Sequence, residues 1–218
     1  MNTKLFFTAR LVLIILLLCT GFTLAQEIKP IQLPEPQTDG GRPLMQVLKE
    51  RISSREFSTE KLPIQVLSNM LWAAWGINRS DSGKRTAPSA SNRQEIDIYV
   101  AMVDGLFLYD AKAHILNPVL ADDIRAATGR QEFVKDVPVN LIYVADLAKM
   151  GNADENQKIF YPAADTGFIS QNVYLFCTSE GLATVVRGLV DKPALAETMK
   201  LRPDQRVILA QSVGYPKK

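Results

Sequence analysis

Four short polar stretches carry side chains whose types and spacing could do chemistry. Arg51-Ile52-Ser53-Ser54-Arg55 sets two guanidinium groups four residues apart with hydroxyls between them. A phosphate monoester takes that combination, charge-assisted donors plus a neutral one. A solvated helix end carries the same arginines. Ala87-Pro88-Ser89-Ala90-Ser91-Asn92-Arg93-Gln94 is built of small residues, which let backbone approach a flat ligand. The amides of Asn92 and Gln94 suit the polar edge of a heteroaromatic ring, and a turn-rich loop has the same composition. Asp165-Thr166-Gly167-Phe168-Ile169-Ser170-Gln171-Asn172 places two adjacent amides inside an apolar helical pattern, where they need partners. The chain closes on Gly214-Tyr215-Pro216-Lys217-Lys218, which reads as a frayed basic tail.

Several chemistries are excluded. The sequence has no nucleophile-elbow pentapeptide, no phosphate-binding loop ending in Gly-Lys-Ser/Thr and no HExxH. His114 is the single histidine, so a His-rich metal site is impossible. Lys+Arg 25 against Asp+Glu 23 gives a net charge of +2, too balanced to argue for nucleic acid. With 218 residues, 47% hydrophobic and 22% charged, the chain has ordinary globular composition and enough material for one sizeable core.

Met1–Ala25 belongs to a different object. Lys4 and Arg10 are followed by the apolar run Leu11–Leu18, and Thr23-Leu24-Ala25 supplies small residues at the cleavage positions. This is the pattern of a secretory signal peptide cut after Ala25. An uncleaved membrane anchor is the alternative, for which the apolar run is short of the ~20 residues a spanning helix needs. Cleavage removes Lys4 and Arg10, leaving 23 basic against 23 acidic residues, and removes Cys19. Cys177 alone cannot form an intramolecular disulfide, so an exported chain must be held by its core. Cys177 is expected there, and His114 in a loop or at a strand edge.

The remaining elements position the polar stretches. Residues 26–42, with Pro30, Pro34, Pro36 and Gly40-Gly41, read as an extended lead-in to a single domain over 43–218. Leu44, Val47, Leu48 and Ile52 predict a helix of about three turns ending near Ser53. Pro63 opens and Gly76 closes a second helix. Asn78–Arg93 is a long polar loop of the kind that is often functional. Ile96–Val103 and Leu106–Tyr109 flank Asp104-Gly105, a hairpin signal. Ile115–Val119 and Val139–Ala145 read as strands, and Leu120–Thr128 as a helix closed by Gly129. Ala164–Glu180 is the longest helical pattern, apolar nearly all round, which fits a core or an oligomer interface. Leu182–Arg187, Ala194–Met199 and Arg206–Val213 predict strand, helix and strand. Interleaved helices around a hairpin favour an α+β fold with a largely antiparallel mixed sheet.

The order and spacing of these stretches resemble the FMN-dependent nitroreductase family. Arg51, Ser53, Arg55 and Phe57 match its opening motif, and Pro88, Ser89, Asn92 and Gln94 its loop. Asp165, Gly167, Gln171, Asn172, Gly181 and Leu182 match its helix and turn, and Gly214-Tyr215-Pro216 its ending. Leu71-Trp72-Ala73-Ala74-Trp75-Gly76 is similar to the branch containing dehydrogenases of peptide-heterocycle formation. The resemblance implies FMN, with Arg51, Ser53 and Arg55 holding its phosphate and nearby polar atoms. Pro88, Ser89, Asn92 and Gln94 would line the isoalloxazine. Glu180, Gly181 and Leu182 would offer backbone N–H groups near N5, and Lys217 a further phosphate contact. It also implies a homodimer with the flavin at the interface and ping-pong two-electron chemistry on a small organic substrate. Nitroaromatic or quinone reduction is within that capability. No side chain is assigned as acid, base or nucleophile. A flavin dehydrogenase or oxidase on a peptide or metabolite, and a non-catalytic flavin-binding envelope protein, are the alternatives. Arg93 and Glu95 stand where some family members carry small or aromatic residues. An exported, periplasmic enzyme would not meet the cytoplasmic NAD(P)H pool, which leaves its electron donor open. Intact-mass measurement of the protein recovered from the cell envelope is expected to give a chain beginning at Gln26; a full-length mass would refute cleavage.

Overall fold

The computed structural model describes residues 28–218, so the segment Met1–Ala25 that the sequence predicts as a signal peptide lies outside the described residues. Among the described residues nine strands and four α-helices follow one another. They are β1 (Ile31–Gln32), α1 (Leu44–Glu50), α2 (Ile64–Trp75), β2 (Ile77–Arg79), β3 (Lys84–Arg85), β4 (Ile96–Met102) and β5 (Gly105–Asp110), then β6 (Ile115–Leu120), β7 (Val139–Asp146), α3 (Glu155–Ser179), β8 (Ala183–Arg187), α4 (Lys192–Thr198) and β9 (Gln205–Gly214). Seven strands form one sheet in the order β1-β6-β5-β4-β7-β9-β8, every pairing antiparallel, and β2-β3 is a separate ribbon. The fold is α+β.

Period-two alternation gives the sheet two covered faces. Ile98 and Val100 of β4 and Leu141, Tyr143 and Ala145 of β7 pack against Leu67, Met70 and Leu71 of α2 and Ile169, Val173 and Cys177 of α3. The alternate residues Tyr99, Ala101, Ile142 and Val144 meet Leu195 and Met199 around α4. All eight residues of β7 are buried, as expected of a central strand covered on both sides.

The predicted hairpin and strands form, and α2 starts after Pro63 and stops at Gly76. Three helices differ from expectation. α1 ends at Glu50, not near Ser53, because the Ser54 N–H donates to the Thr184 carbonyl at 3.0 Å and draws the chain out of the helix. Over Leu120–Thr128 only Arg125–Thr128 coils, as a 3-10 turn, since Leu120 pairs with Leu106 in the sheet. α3 starts at Glu155, before the predicted Ala164. Asp154 and Gln157 cap it reciprocally, the Gln157 N–H donating to Asp154 at 2.8 Å. Pro162, which reads as a helix break, lies buried inside it. An interior proline costs about 3 kcal/mol, so packing of its ring must offset the lost bond.

Cys177 is fully buried, and burial pushes its thiol pKa up, so it is core and not a thiolate. Arg187 is 3% exposed and has only neutral partners: the Thr128 carbonyl at 2.6 Å, Asn140 Oδ1 at 2.9 Å and Ser212 Oγ at 3.1 Å. Burial pulls its pKa down to about 10. Its guanidinium fills the place of a side chain at Gly129, where a Cβ would lie 2.0 Å from Nη1.

The lead-in is tied down along its length. β1 pairs with β6, the Leu33 N–H donates to the His114 carbonyl, Gln65 Nε2 donates to the Glu35 carbonyl, and the Arg42 N–H donates to Ser179 Oγ. His114 is the hub of this region. Ser68 Oγ gives its proton to the Pro34 carbonyl, so at 2.7 Å it accepts from His114 Nε2, and Nδ1 accepts from Tyr109 OH at 3.0 Å. This arrangement needs the neutral ring, and burial lowers the His114 pKa. Its stabilising contribution is complete above the unfolded value of about 6.5 and is lost as pH falls below it. Thermal melts are therefore expected to show a lower Tm at about pH 5 than at about pH 7.5, with a smaller drop in His114→Gln; equal drops in both proteins would refute the role of His114.

Candidate flavin site

The first arginine cluster is in extended chain leaving α1, not on one helical face. Arg51 caps α1 through its N–H to the Val47 carbonyl and lays its guanidinium 5.2 Å from the centre of the Tyr174 ring. Tyr174 OH accepts from the Val186 N–H at 2.9 Å and shares a hydrogen bond with Ser53 Oγ at 2.8 Å, in which either hydroxyl can donate. Tyr174 was not legible as a site residue; it sits among apolar residues of α3 with no motif of its own.

Arg55 opens onto a cleft of about 1220 Å³ shared with Phe57, Phe133, Gly181, Tyr215, Lys217 and Lys218. The C-terminal segment is held there and does not fray. The Ser58 N–H donates to the Tyr215 carbonyl at 2.8 Å, the Lys217 N–H to the Glu56 carbonyl at 3.3 Å, and Phe57 bridges Pro216. The Phe57 and Phe133 rings lie 5.4 Å apart. Glu56, Glu60 and Asp136 also line the cleft. Among the described residues none of Arg51, Arg55, Lys217 or Lys218 forms a salt bridge.

Gly181 follows α3 at φ +69, which favours glycine, and lets the Leu182 N–H reach the Cys177 carbonyl at 2.7 Å. The three turn residues then diverge. Gly181 faces the cleft, Leu182 is buried in the core, and Glu180 lines a separate cavity of about 480 Å³ between the lead-in, α2 and α3.

The loop of Pro88, Ser89, Asn92 and Gln94 lies elsewhere in the fold. It enters β4 at Ile96, opposite Ala145, whereas Gly181 enters β8 at Ala183, opposite Gly214 and near Val139. The run of β7 from Val139 to Ala145 separates the two by about 20 Å. The loop is rigidly built. Ser91, Asn92 and Gln94 have φ of +54°, +52° and +51°. Ser89 Oγ accepts the Gln94 N–H at 3.1 Å, and Gln94 takes Arg85 Nε at 2.7 Å while donating to the Gly83 carbonyl. The Ala90 N–H donates to Asp165 Oδ2 at 2.9 Å. Strained backbone of this kind persists where the surroundings over-determine it, commonly at ligand sites. Of the helix amides, Asn172 finds the Ala73 carbonyl at 3.1 Å and Gln171 is exposed.

Ser68, His114 and Tyr109 have the outline of a nucleophilic triad but cannot act as one. Ser68 is fully buried, and its proton points to Pro34, away from the imidazole. Among the described residues no cluster of three His, Cys, Asp or Glu could hold a metal ion.

A sequence profile of the nitroreductase family matches residues 48–215. The chain belongs to the nitroreductase family. A provisionally named nitroreductase of Methanocaldococcus jannaschii is 30% identical over 182 residues, covering 79% of this chain and 90% of its own. A solved structure from Ralstonia eutropha, also provisionally named a nitroreductase, is 42% identical, with a TM-score of 0.85 over 89% of this chain and 93% of that one. A Desulfovibrio desulfuricans structure solved in complex with FMN shares the fold, with a TM-score of 0.60 at 22% identity over 82% of this chain and 89% of that one. Family membership supports an oxidoreductase.

The cleft suits FMN. Arg55, Lys217 and Lys218 offer cations without carboxylate partners among the described residues, Ser53 offers a hydroxyl beside Arg51, and the Gly181 backbone is unobstructed. Replacing Arg51 and Arg55 together by Ala is expected to weaken FMN binding by about a hundredfold, two charge-assisted contacts being lost, with the far-ultraviolet circular dichroism unchanged; unaltered affinity by fluorescence titration would remove the phosphate assignment.

Proposed function

We propose that this chain is an exported, homodimeric, FMN-dependent oxidoreductase acting on a small organic substrate. The observation that carries the reading is the cleft of about 1220 Å³ rimmed by Arg55, Lys217 and Lys218, cations that lack carboxylate partners among the described residues. FMN, when bound, supplies two-electron redox chemistry at its ring, and the protein supplies position and electrostatics. Arg55, Lys217 and Lys218 neutralise the phosphate, Ser53 donates to it or to the ribityl chain, and Arg51 is held in reach by Tyr174.

A second copy of the chain accounts for the loop that stands apart. α3 exposes Ile159, Phe160, Ala163, Gly167, Phe168 and Gln171 at helical spacing, with Phe160 65% and Phe168 50% exposed. A Cβ at Gly167 would meet nothing within 4 Å. An apolar stripe of this size on a helix calls for a partner. Two α3 helices crossing antiparallel at Gly167 and Phe168 would set the Gly181 end of one beside the Glu155 end of the other, with Asp165 close to the crossing. The loop of Pro88, Ser89, Asn92 and Gln94 from one protomer would then face the phosphate-binding cleft of its partner, as a two-subunit flavin site needs.

The segment Met1–Ala25 supports export, and with it a periplasmic or other extracytoplasmic location and an electron donor other than the cytoplasmic NAD(P)H pool. Nitroaromatic and quinone acceptors are the first substrates to test. The purified mature protein is expected to show a flavin absorbance spectrum, to release FMN on denaturation as identified by mass, and, once reduced by dithionite under argon, to reoxidise on addition of a quinone. A colourless protein that also refuses added FMN would overturn the reading.

A further inference from the structure

The loop of Pro88, Ser89, Asn92 and Gln94 rests on a group of buried polar side chains that the flavin contacts do not use. Glu95, which follows the loop and precedes β4, is fully buried, and neither of its carboxyl oxygens has a hydrogen-bond partner of good geometry. Asp165 of α3, 2% exposed, is the carboxyl group that interacts with it, and Asp165 Oδ2 accepts the Ala90 N–H at 2.9 Å. Thr166, also on α3, is fully buried with an unpartnered hydroxyl. Arg93 belongs to the loop itself. It has one buried, unpartnered guanidinium nitrogen, and its charge is spread over the Tyr161 ring 5.8 Å away. From β7, the Asp146 N–H donates to the Glu95 carbonyl, and the Asp146 carboxylate is held by Arg202 at 2.9 Å. Asp97, further along β4, is paired with Lys149 at 2.6 Å. Among the described residues Arg93 is thus not committed to another carboxylate, nor is Arg85, which is bound to Gln94 Oε1 and the Trp75 carbonyl, and Asp165 has no cation in a salt bridge.

Two carboxyl groups side by side in a buried pocket cannot both be charged. Asp165 is fixed as the acceptor by the Ala90 N–H. We propose that Glu95 and Asp165 form a carboxyl pair sharing one proton, and that this pair positions the Pro88–Gln94 loop for the cofactor by keeping Asp165 available to Ala90. The dependence on FMN rests on the function proposed above; the pairing itself does not.

Burial first of all raises the Glu95 pKa, to about 7, with Asp165 acting in the same sense, while the Glu95 backbone N–H and, more weakly, Arg93 act against it. The folded state thus holds a proton that the unfolded chain releases near pH 4.5. For a group raised in this way, the stabilising contribution is greatest below the unfolded value. It declines as pH rises toward the folded value and is spent above it. Loss of the shared proton leaves two adjacent charges under the loop, which loosens the Ala90–Asp165 hydrogen bond and the left-handed residues that depend on it. Glu95→Gln retains a donor toward Asp165 and has nothing to ionise.

Two readouts test this, one of them without flavin. In the apoprotein, hydrogen exchange at the Ala90 amide, corrected for intrinsic base catalysis, is expected to lose protection by about threefold or more between about pH 6 and about pH 8.5, and to stay level in Glu95→Gln. The FMN dissociation constant is expected to rise by a similar factor over the same range in the wild type and to be nearly flat in Glu95→Gln. The same pH profile in both proteins would overturn the proposal. So would a Glu95 carboxyl carbon resonance that titrates near the ordinary glutamate value in the wild type, a measurement that stands if Glu95→Gln fails to fold. Ala90 protection that follows pH as expected in a protein that binds no FMN would leave the pair in place and sink the flavin reading alone.

Discussion

Burial of β7 on both faces is the constraint from which the rest of the architecture follows. A strand with all of its residues covered can satisfy its backbone only through neighbours on both sides, here β4 and β9. Its side chains can be covered only by two separate layers. One layer is α2 with α3, the other is built around α4. Where polar side chains enter this interior along β7, β8 and β9 they are bound to one another. Tyr143 donates to Gln211, which reaches Thr184, and Asn140 takes both Arg187 and Ser212. A half-satisfied network at this depth would cost more than an apolar one, and these links also fix the register of β7, β9 and β8.

Because the central strands are rigid, the functional segments are confined to their two ends. The Gly181 turn, the Arg55 segment and the C-terminal residues collect at one end, joined by backbone bonds between stretches distant in sequence. The Pro88–Gln94 loop sits at the other, anchored on α3 by Asp165. A single helix, α3, therefore touches both groups of segments, packs against the core with one face and leaves an apolar stripe on another. Its apolar surround in the sequence reflects this double duty.

Most of the fold was legible because the strands are apolar, β-rich runs and the turns carry their own chemistry, as Asp104-Gly105 and Pro63 show. Failures occurred where a distant partner overrode local pattern. Thr184 shortened α1 through Ser54, and Asp154 with Gln157 extended α3 through a proline that locally argues for a stop. In the site, the residue types were readable and the grouping was not. Nothing in the spacing of Glu180, Gly181 and Leu182 says that they point into a cavity, a cleft and the core, since that follows from the left-handed Gly181. Nor does sequence distance reveal that Tyr174 supports Arg51 and Ser53, or that His114 is a structural hinge for the lead-in.

The close approach of Arg187 to Gly129 has a consequence for how this sequence can drift. Gly129 has an extended backbone, open to any residue on conformational grounds, so space alone keeps it glycine. A methyl group added at that position would collide with the guanidinium, whereas a shorter residue at 187 would leave an empty volume and strip Thr128, Asn140 and Ser212 of their donor. Each substitution is harmful on its own and each removes part of the objection to the other. The two positions behave as one heritable unit, expected to change together across descendants or to remain as they are.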